Sequence, residues 1–87
     1  MHVRFKAIGS VRQLDPPIVD FPDDTRFAAV VAYICRAVDV PTLWCYIANA
    51  FVPSPETSVA ELAAVAAIAG TASDPLLVTY SLIEAFG

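Results

Sequence analysis

The sequence has few of the residues that build catalytic, metal or phosphate sites. Its 87 residues include one histidine, His2, two cysteines and three glycines. Nucleophilic catalysis of the Ser-His-acid or Cys-His type needs a histidine held inside the fold. Cys35, Cys45 and His2 are too few for a four-ligand zinc site, and three scattered glycines form no phosphate loop. We therefore expect no enzymatic activity, no metal and no cofactor, and both cysteines to be reduced packing residues.

Basic residues are also scarce, and the net charge is −4. The five basic residues are scattered along the chain: Arg4, Lys6, Arg12, Arg26 and Arg36. A surface that neutralises nucleic-acid phosphates needs clustered basic side chains, so nucleic acid is not an expected partner. No apolar run reaches the roughly 18–20 residues of a membrane span. The opening segment, 1–6, alternates charged and apolar residues unlike a secretory signal, and we expect a cytoplasmic location.

What the chain does have is apolar surface. It is 57% hydrophobic and 16% charged, with a mean hydropathy of +0.64. Such a composition excludes disorder of the whole chain, because this surface must be buried or paired. The length suffices for one hydrophobic core, so we expect a single domain over residues 1–87.

The first third of the chain predicts two strands and a helix. Val3, Phe5 and Ala7 alternate with charged residues, which is typical of a strand with one buried face. The segment 18–21 predicts a second strand, and the preceding prolines favour a sheet edge. A helical stripe follows, with apolar residues at spacings of three and four: Phe27, Val30, Val31, Ile34 and Val38. We expect Asp24 or Thr25 to cap this helix, and residues 39–41, which end in proline, to terminate it.

The remaining elements complete an α+β pattern. Residues 43–47 predict a strand, and a turn at Asn49 leads to a short strand at 51–52. Ser58 and Glu61 have capping-box spacing and open a second helix that runs to about Ile68, with Gly70 as its C-terminal cap. Residues 76–80 are almost continuously apolar and predict a central strand, parallel to the first. This order favours a ubiquitin-like β-grasp, a mixed sheet packed against one main helix, over a ferredoxin-like split βαβ fold.

Several segments resemble one family of ubiquitin-like modifiers. The most specific is Cys45-Tyr46-Ile47-Ala48-Asn49-Ala50-Phe51-Val52-Pro53-Ser54-Pro55, since the family has an aromatic strand, an Asn-containing turn and Phe-x-Pro-Ser-Pro there. The opening Phe5-Lys6-Ala7-Ile8-Gly9 is similar to the family's first strand and Gly turn. The segment Leu76-Leu77-Val78-Thr79-Tyr80 and the terminal Ala85-Phe86-Gly87 complete the likeness. The chain therefore resembles the autophagy-related protein 12 family, although Phe86 stands where that family usually has Trp.

The resemblance implies a protein modifier of autophagy. Residues 82–87 would be a conjugation tail, and Gly87 would be joined by an isopeptide bond to a lysine of autophagy-related protein 5. An activating enzyme and conjugating enzymes would carry out the transfer. The conjugate would act as a ligase-like platform for the lipidation of a second ubiquitin-like modifier, at the forming autophagosome membrane.

The resemblance also suggests residues for partner binding, namely Phe86, Ala85, Phe51 and Pro53. For Phe51, a plain packing role is an equal alternative. We interpret the strand aromatics Trp44 and Tyr46 as packing residues, because aromatic side chains in strands usually pack. Two other functions stay open: a sulfur carrier of the same fold, and a noncovalent interaction module.

Overall fold

The computed structural model describes residues 1–47, 52–68 and 75–83. These residues form four strands and two helices. In chain order they are β1 (His2–Ile8), β2 (Ile18–Asp20), α1 (Phe27–Val38), β3 (Trp44–Ile47), α2 (Val59–Ile68) and β4 (Leu76–Ser81). The strands make one sheet in the order β2-β1-β4-β3. Strand β4 is central and parallel to β1, and β2 is an edge strand, as the sequence predicts. Strand β4 is also antiparallel to β3.

One face of this sheet forms the hydrophobic core. In the parallel β1–β4 register, Val3 lies beside Leu76 and Phe5 beside Val78, and all four side chains are buried. Because side chains alternate along a strand, these residues share one face of the sheet. Helix α1 covers that face with its buried stripe: Phe27, Val30, Ile34 and Val38. The fifth predicted stripe residue, Val31, is half-buried at its edge.

Helix α1 begins differently from the prediction. Neither Asp24 nor Thr25 caps it: the N-cap is Arg26, which makes no side-chain capping hydrogen bond. The free N–H groups of the first turn donate instead to carbonyls of the chain before α2, from Phe27 to Thr57 at 2.8 Å and from Ala28 to Pro55 at 3.0 Å. The prediction of a side-chain cap is therefore wrong, because backbone carbonyls from a distant segment accept hydrogen bonds from the same N–H groups.

The first turn of α2 is satisfied in the same way, by a backbone carbonyl of the chain before α1. The N–H of Val59 donates to the carbonyl of Thr25 at 2.9 Å, so the chain before each helix accepts from the first turn of the other. The predicted capping pair is confirmed as well: the N–H of Glu61 donates to Ser58 Oγ at 3.2 Å, and that hydroxyl donates to Glu61 Oε1 at 3.1 Å. These bonds fix where both helices begin and hold their N-terminal ends together.

The C-terminal end of α1 agrees with the prediction that it stops before Pro41. Asp39 takes the left-handed conformation, with φ 59° and ψ 55°, and its N–H donates to the carbonyl of Cys35. Of the short strand predicted at 51–52, Phe51 lies outside the described residues and Val52 is in no strand. The predicted turn at Asn49 and helix cap at Gly70 also lie outside the described residues.

A buried hydroxyl ties the chain between β1 and β2 to the central strand. The side chain of Tyr80 is fully buried, and its hydroxyl accepts a hydrogen bond from the N–H of Leu14 at 2.6 Å. The same hydroxyl donates to the carbonyl of Arg12 at 2.7 Å. Leu14 and Val11 are both buried in the core. The connection between the first two strands is therefore an integral part of the core.

Candidate functional site

Most of the predicted site residues lie outside the described part of the chain. They are Gly87, Phe86, Ala85 and Phe51. The fourth predicted partner residue, Pro53, is described: its side chain is buried, between exposed Val52 and exposed Ser54. This burial favours a packing role for Pro53 over direct contact with a partner, since a partner reaches exposed surface first.

The structure does define the point from which the predicted tail leaves the fold. Strand β4 ends at Ser81, in the middle of the sheet, and residues 82 and 83 lie at the surface. Leu82 is 44% exposed and Ile83 is 73% exposed. The N–H of Ile83 donates to Ser81 Oγ at 3.2 Å, which closes a short turn directly after the strand. The direction in which the chain departs is thus set by a side chain of the central strand.

A shallow apolar cavity adjoins this exit. It has a volume of about 280 Å³ and lies between the ends of β1 and β4. Its lining residues are Ile8, Gly9, Ser10, Ser81, Leu82 and Ile83. Gly9 has φ +76° there, a conformation that L side chains rarely adopt, so glycine suits this turn. No charged side chain lines the cavity.

Trp44 is a surface residue that the sequence analysis missed. It is 42% exposed, whereas Tyr46, on the same face of β3, is buried. The two residues differ in their position along β3: Trp44 is the first residue of the strand, whereas Tyr46 lies inside it. Trp44 lies opposite Ser81, the last residue of β4. The available signal was its location at the start of its strand, where fewer neighbours cover a side chain.

A group of charged side chains lies where the two helices begin. A cleft of about 390 Å³ is lined there by Asp23, Asp24, Glu56 and Glu61 together with Arg26. Arg26 donates to the carbonyl of Glu56 at 2.9 Å and to its Oε2 at 3.4 Å. Both side chains are largely exposed, so this ion pair contributes little to stability. In the described residues no group of three or more His, Cys, Asp or Glu side chains could hold a metal.

The two thiols are poorly suited to nucleophilic chemistry. Burial, with a smaller contribution from nearby Cys35, raises the pKa of Cys45 to about 12. Burial also raises the pKa of Cys35, which is half-buried. A reactive cysteine has a lowered pKa, because the thiolate is the attacking form. Neither thiol has the electrostatic surroundings of an acyl-accepting cysteine.

The described helices include none that is both long and apolar enough to span a bilayer. What the described residues assemble is a β-grasp: a mixed sheet with its last strand in the centre, parallel to its first, and a main helix across one face. This arrangement defines the ubiquitin-like class and confirms the fold class expected from the sequence.

The comparison with known families agrees with this class and narrows it. A family model described as "Ubiquitin-like autophagy protein Apg12" matches residues 1–87, and the chain belongs to that family. It is 33% identical over 85 residues to Ubiquitin-like protein ATG12 of Eremothecium gossypii, a match that covers 98% of this chain and 43% of that protein. The proteins of the same name from Candida glabrata and Pichia angusta are 27% and 28% identical, over 98% and 100% of this chain.

The chain is shorter than these relatives. The matched region spans 45% of the Candida glabrata protein and 49% of the Pichia angusta protein, so the chain spans somewhat less than half the length of the curated relatives it matches. The resemblance seen in the sequence is confirmed at the level of the family of ubiquitin-like autophagy proteins.

Proposed function

We propose that this chain is a modifier that becomes covalently joined to autophagy-related protein 5 through Gly87. In this proposal, residues 1–87 form one ubiquitin-like domain and 82–87 are its conjugation tail. The observation that carries the proposal is the departure of the chain from the central strand at Ser81 through exposed Leu82 and Ile83. The sequence beyond them contains Gly87. Membership of the family of ubiquitin-like autophagy proteins supports it.

The chemistry explains why the donor is a glycine. An activating enzyme would transfer AMP from ATP to the Gly87 carboxylate, releasing pyrophosphate, and its cysteine thiolate would then displace AMP to form a thioester. A conjugating enzyme would take over the acyl group on its own cysteine. The lysine amine of the acceptor would attack this thioester, forming the amide and releasing the thiol. Glycine has no Cβ, so its carbonyl is open to each nucleophile in turn.

In this scheme the chain supplies an acyl group and a recognition surface, and the enzymes supply the catalysis. The raised pKa values of both its thiols support this division, because neither Cys35 nor Cys45 is activated to accept an acyl group. Phe86, Ala85 and Phe51 would contact the acceptor, and buried Pro53 would have a packing role. Fully burying one Phe contributes about 1.5–3 kcal/mol, so a few such contacts orient the joined proteins.

The conjugate would then serve as a ligase-like platform. It would recruit the conjugating enzyme that attaches a second ubiquitin-like modifier to phosphatidylethanolamine. We propose a cytoplasmic location with recruitment to the forming autophagosome membrane, where membrane contact comes through the assembled complex. A surface with net charge −4 supports this arrangement, since it does not attract anionic lipid by itself.

The test is co-expression of the chain with autophagy-related protein 5, the activating enzyme and the conjugating enzyme of this transfer. We expect a denaturant-resistant band at the summed mass for the full chain, and none after deletion of Gly87. A band from both chains would refute Gly87 as the donor. A native complex without a denaturant-resistant band would indicate a noncovalent module, and a terminal thiocarboxylate detected by mass spectrometry would indicate a sulfur carrier.

A further inference from the structure

The edge of β1 that faces β2 is paired by that strand over only part of its length. Among the described residues, β2 pairs with β1 over residues 2–4, although β1 runs to Ile8. One further backbone bond follows, from the N–H of Phe5 to the carbonyl of Pro17 at 2.8 Å. Proline has no N–H, so Pro17 cannot donate to the carbonyl of Phe5 in return. Strand β2 therefore leaves the second half of this edge without a neighbouring strand.

The side-chain carboxamide of Gln13 takes the place of that missing strand. Its Nε2 donates to the carbonyl of Phe5 at 2.9 Å, and its Oε1 accepts from the N–H of Ala7 at 2.9 Å. A carboxamide has one acceptor oxygen and two donor hydrogens, so one side chain can satisfy both a carbonyl and an N–H of the same strand. We call the backbone groups of Phe5 and Ala7 that Gln13 binds the blocked edge.

The backbone on both sides of Gln13 is held in position. The hydroxyl of Tyr80 donates to the carbonyl of Arg12 and accepts from the N–H of Leu14. Leu14 is buried, whereas Gln13 is exposed, and Nε2 of Gln13 also donates to the carbonyl of Leu14 at 3.1 Å. The carboxamide is thus presented to β1 at the protein surface, where a strand from another molecule has access once the carboxamide is gone.

We propose that Gln13 is an internal block on a strand-docking site, and that an edge strand of a second copy of the chain binds the blocked edge when the carboxamide is absent. An unpaired strand edge is a template for pairing with another chain, and proteins close such edges with bulges, charges or covering segments. Here one side chain closes the edge, so one substitution opens it. The proposal concerns the unconjugated chain and does not depend on Gly87.

Two features favour a second copy as the occupant. The blocked edge offers backbone bonds, which any extended strand can complete, and the sheet of the described residues ends in β2 and β3, which are both edge strands. Lys6 is exposed between Phe5 and Ala7 and adds a positive charge beside this edge, whereas the net charge of a second copy is −4. Opposite charge attracts the second copy to this edge.

The first measurement is amide hydrogen exchange in dilute solution, in which Gln13→Ala is compared with Arg12→Ala. Both residues are exposed, and each donates to a backbone carbonyl at 2.9 Å, Arg12 to that of Ala37. We expect Gln13→Ala to speed exchange at Ala7 about fivefold or more, because this N–H loses its acceptor, and Arg12→Ala to change it less than about twofold. Unchanged exchange at Ala7 in Gln13→Ala would overturn the proposal.

The second measurement is sedimentation equilibrium over a series of protein concentrations. We expect the parent chain and Arg12→Ala to keep the monomer mass of 9.3 kDa. Gln13→Ala should gain mass with concentration, and protection of its Ala7 amide should return as the copies associate. Monomers of Gln13→Ala at every concentration would refute the second copy as occupant. Association that leaves the Ala7 amide unprotected, or equal association of Arg12→Ala, would place the contact elsewhere and refute the blocked edge.

A shorter carboxamide keeps the test decisive if Gln13→Ala fails to fold, which circular dichroism would show. Gln13→Asn preserves the polar group but is one methylene shorter, so it cannot reach both Phe5 and Ala7 from the same backbone position. It should exchange at Ala7 and associate as described for Gln13→Ala. An Asn variant that stays monomeric with a protected Ala7 amide would contradict the role assigned to the Gln13 side chain.

Discussion

The hydroxyl of Tyr80 provides the sharpest test of how the core is held together. Tyr80→Phe removes one oxygen and leaves the ring volume unchanged. The N–H of Leu14, a buried donor, then loses its acceptor at 2.6 Å, and the carbonyl of Arg12 loses its donor at 2.7 Å. A buried donor left unsatisfied costs about 1–3 kcal/mol, and a net hydrogen bond to a partly accessible carbonyl contributes about 1 kcal/mol. We expect a loss of about 2–3 kcal/mol in the free energy of unfolding.

Urea denaturation measures this loss directly. With a slope of about 1–2 kcal/mol per molar for a chain of this size, the midpoint should fall by about 1–2 M at an unchanged slope. The melting temperature should fall by about 10 °C or more. Hydrogen exchange should locate the effect, because the amide of Leu14 should exchange faster than amides of the central strands.

The matched control is Tyr33→Phe. Tyr33 packs in the cluster of Phe5 and Phe21, and its hydroxyl makes no hydrogen bond among the described residues. The same chemical change should cost less than about 0.5 kcal/mol there. Equal costs at the two positions, or an unaltered exchange rate at Leu14, would refute the assignment of a structural role to the Tyr80 hydroxyl.

Three further predictions follow from the described contacts. Burial raises the pKa of Tyr80, so the folded state keeps the phenol proton to a higher pH than the unfolded state does. The stability that this proton contributes is fully present below pH 10 and falls above it. Tyr80→Phe should therefore flatten the decline in urea midpoints between pH 9 and 11. A disulfide reagent at pH 8 should label Cys35 before buried Cys45, whose pKa is about 12. Mass spectrometry of the labelled native protein measures the order of labelling. Equal labelling rates at the two cysteines would contradict the prediction. Ser58→Ala removes the acceptor for the N–H of Glu61 and should cost about 1 kcal/mol by urea denaturation, whereas an unchanged midpoint would show that the capping pair is dispensable.

The parts of the fold that depend on neighbouring residues could be predicted from the sequence. The alternation at Val3 and Phe5 predicts β1, and the stripe that includes Val30 and Ile34 predicts the buried face of α1. The capping pair of Ser58 and Glu61 also acts within one turn, and it lies where its spacing indicates. Local patterns succeed here because the interactions that they report are themselves local.

Contacts between distant segments were not predictable in the same way. The sequence predicts that Asp24 or Thr25 caps α1, yet the N–H groups of its first turn donate to the carbonyls of Pro55 and Thr57. Nothing near Phe27 in the sequence indicates those acceptors, about thirty residues further along. The hydrogen bonds of the Tyr80 hydroxyl to the chain before β2 cannot be predicted from the local sequence for the same reason.

The residues of the candidate site fall into the same two groups, those that the sequence indicates and those that only the structure brings together. Gly87 and the segment from Cys45 to Pro55 are visible in the sequence through resemblance to a family, and their roles stay predictions. Exposure of Trp44 and its alignment with Ile8 and Ser81 depend on strand register, which links three distant segments. Sequence patterns indicate which side of a strand is buried, but they do not indicate which strand ends meet.

The position of β4 has a consequence for synthesis of the chain. The last strand fills the gap between β1 and β3, so a nascent polypeptide released from translation before Ser81 lacks the middle of its sheet. Strands β1 and β3 then have no common neighbour, and the apolar side chains that face α1 remain exposed to water. We therefore expect a polypeptide that lacks β4 to remain unfolded and open to proteolysis.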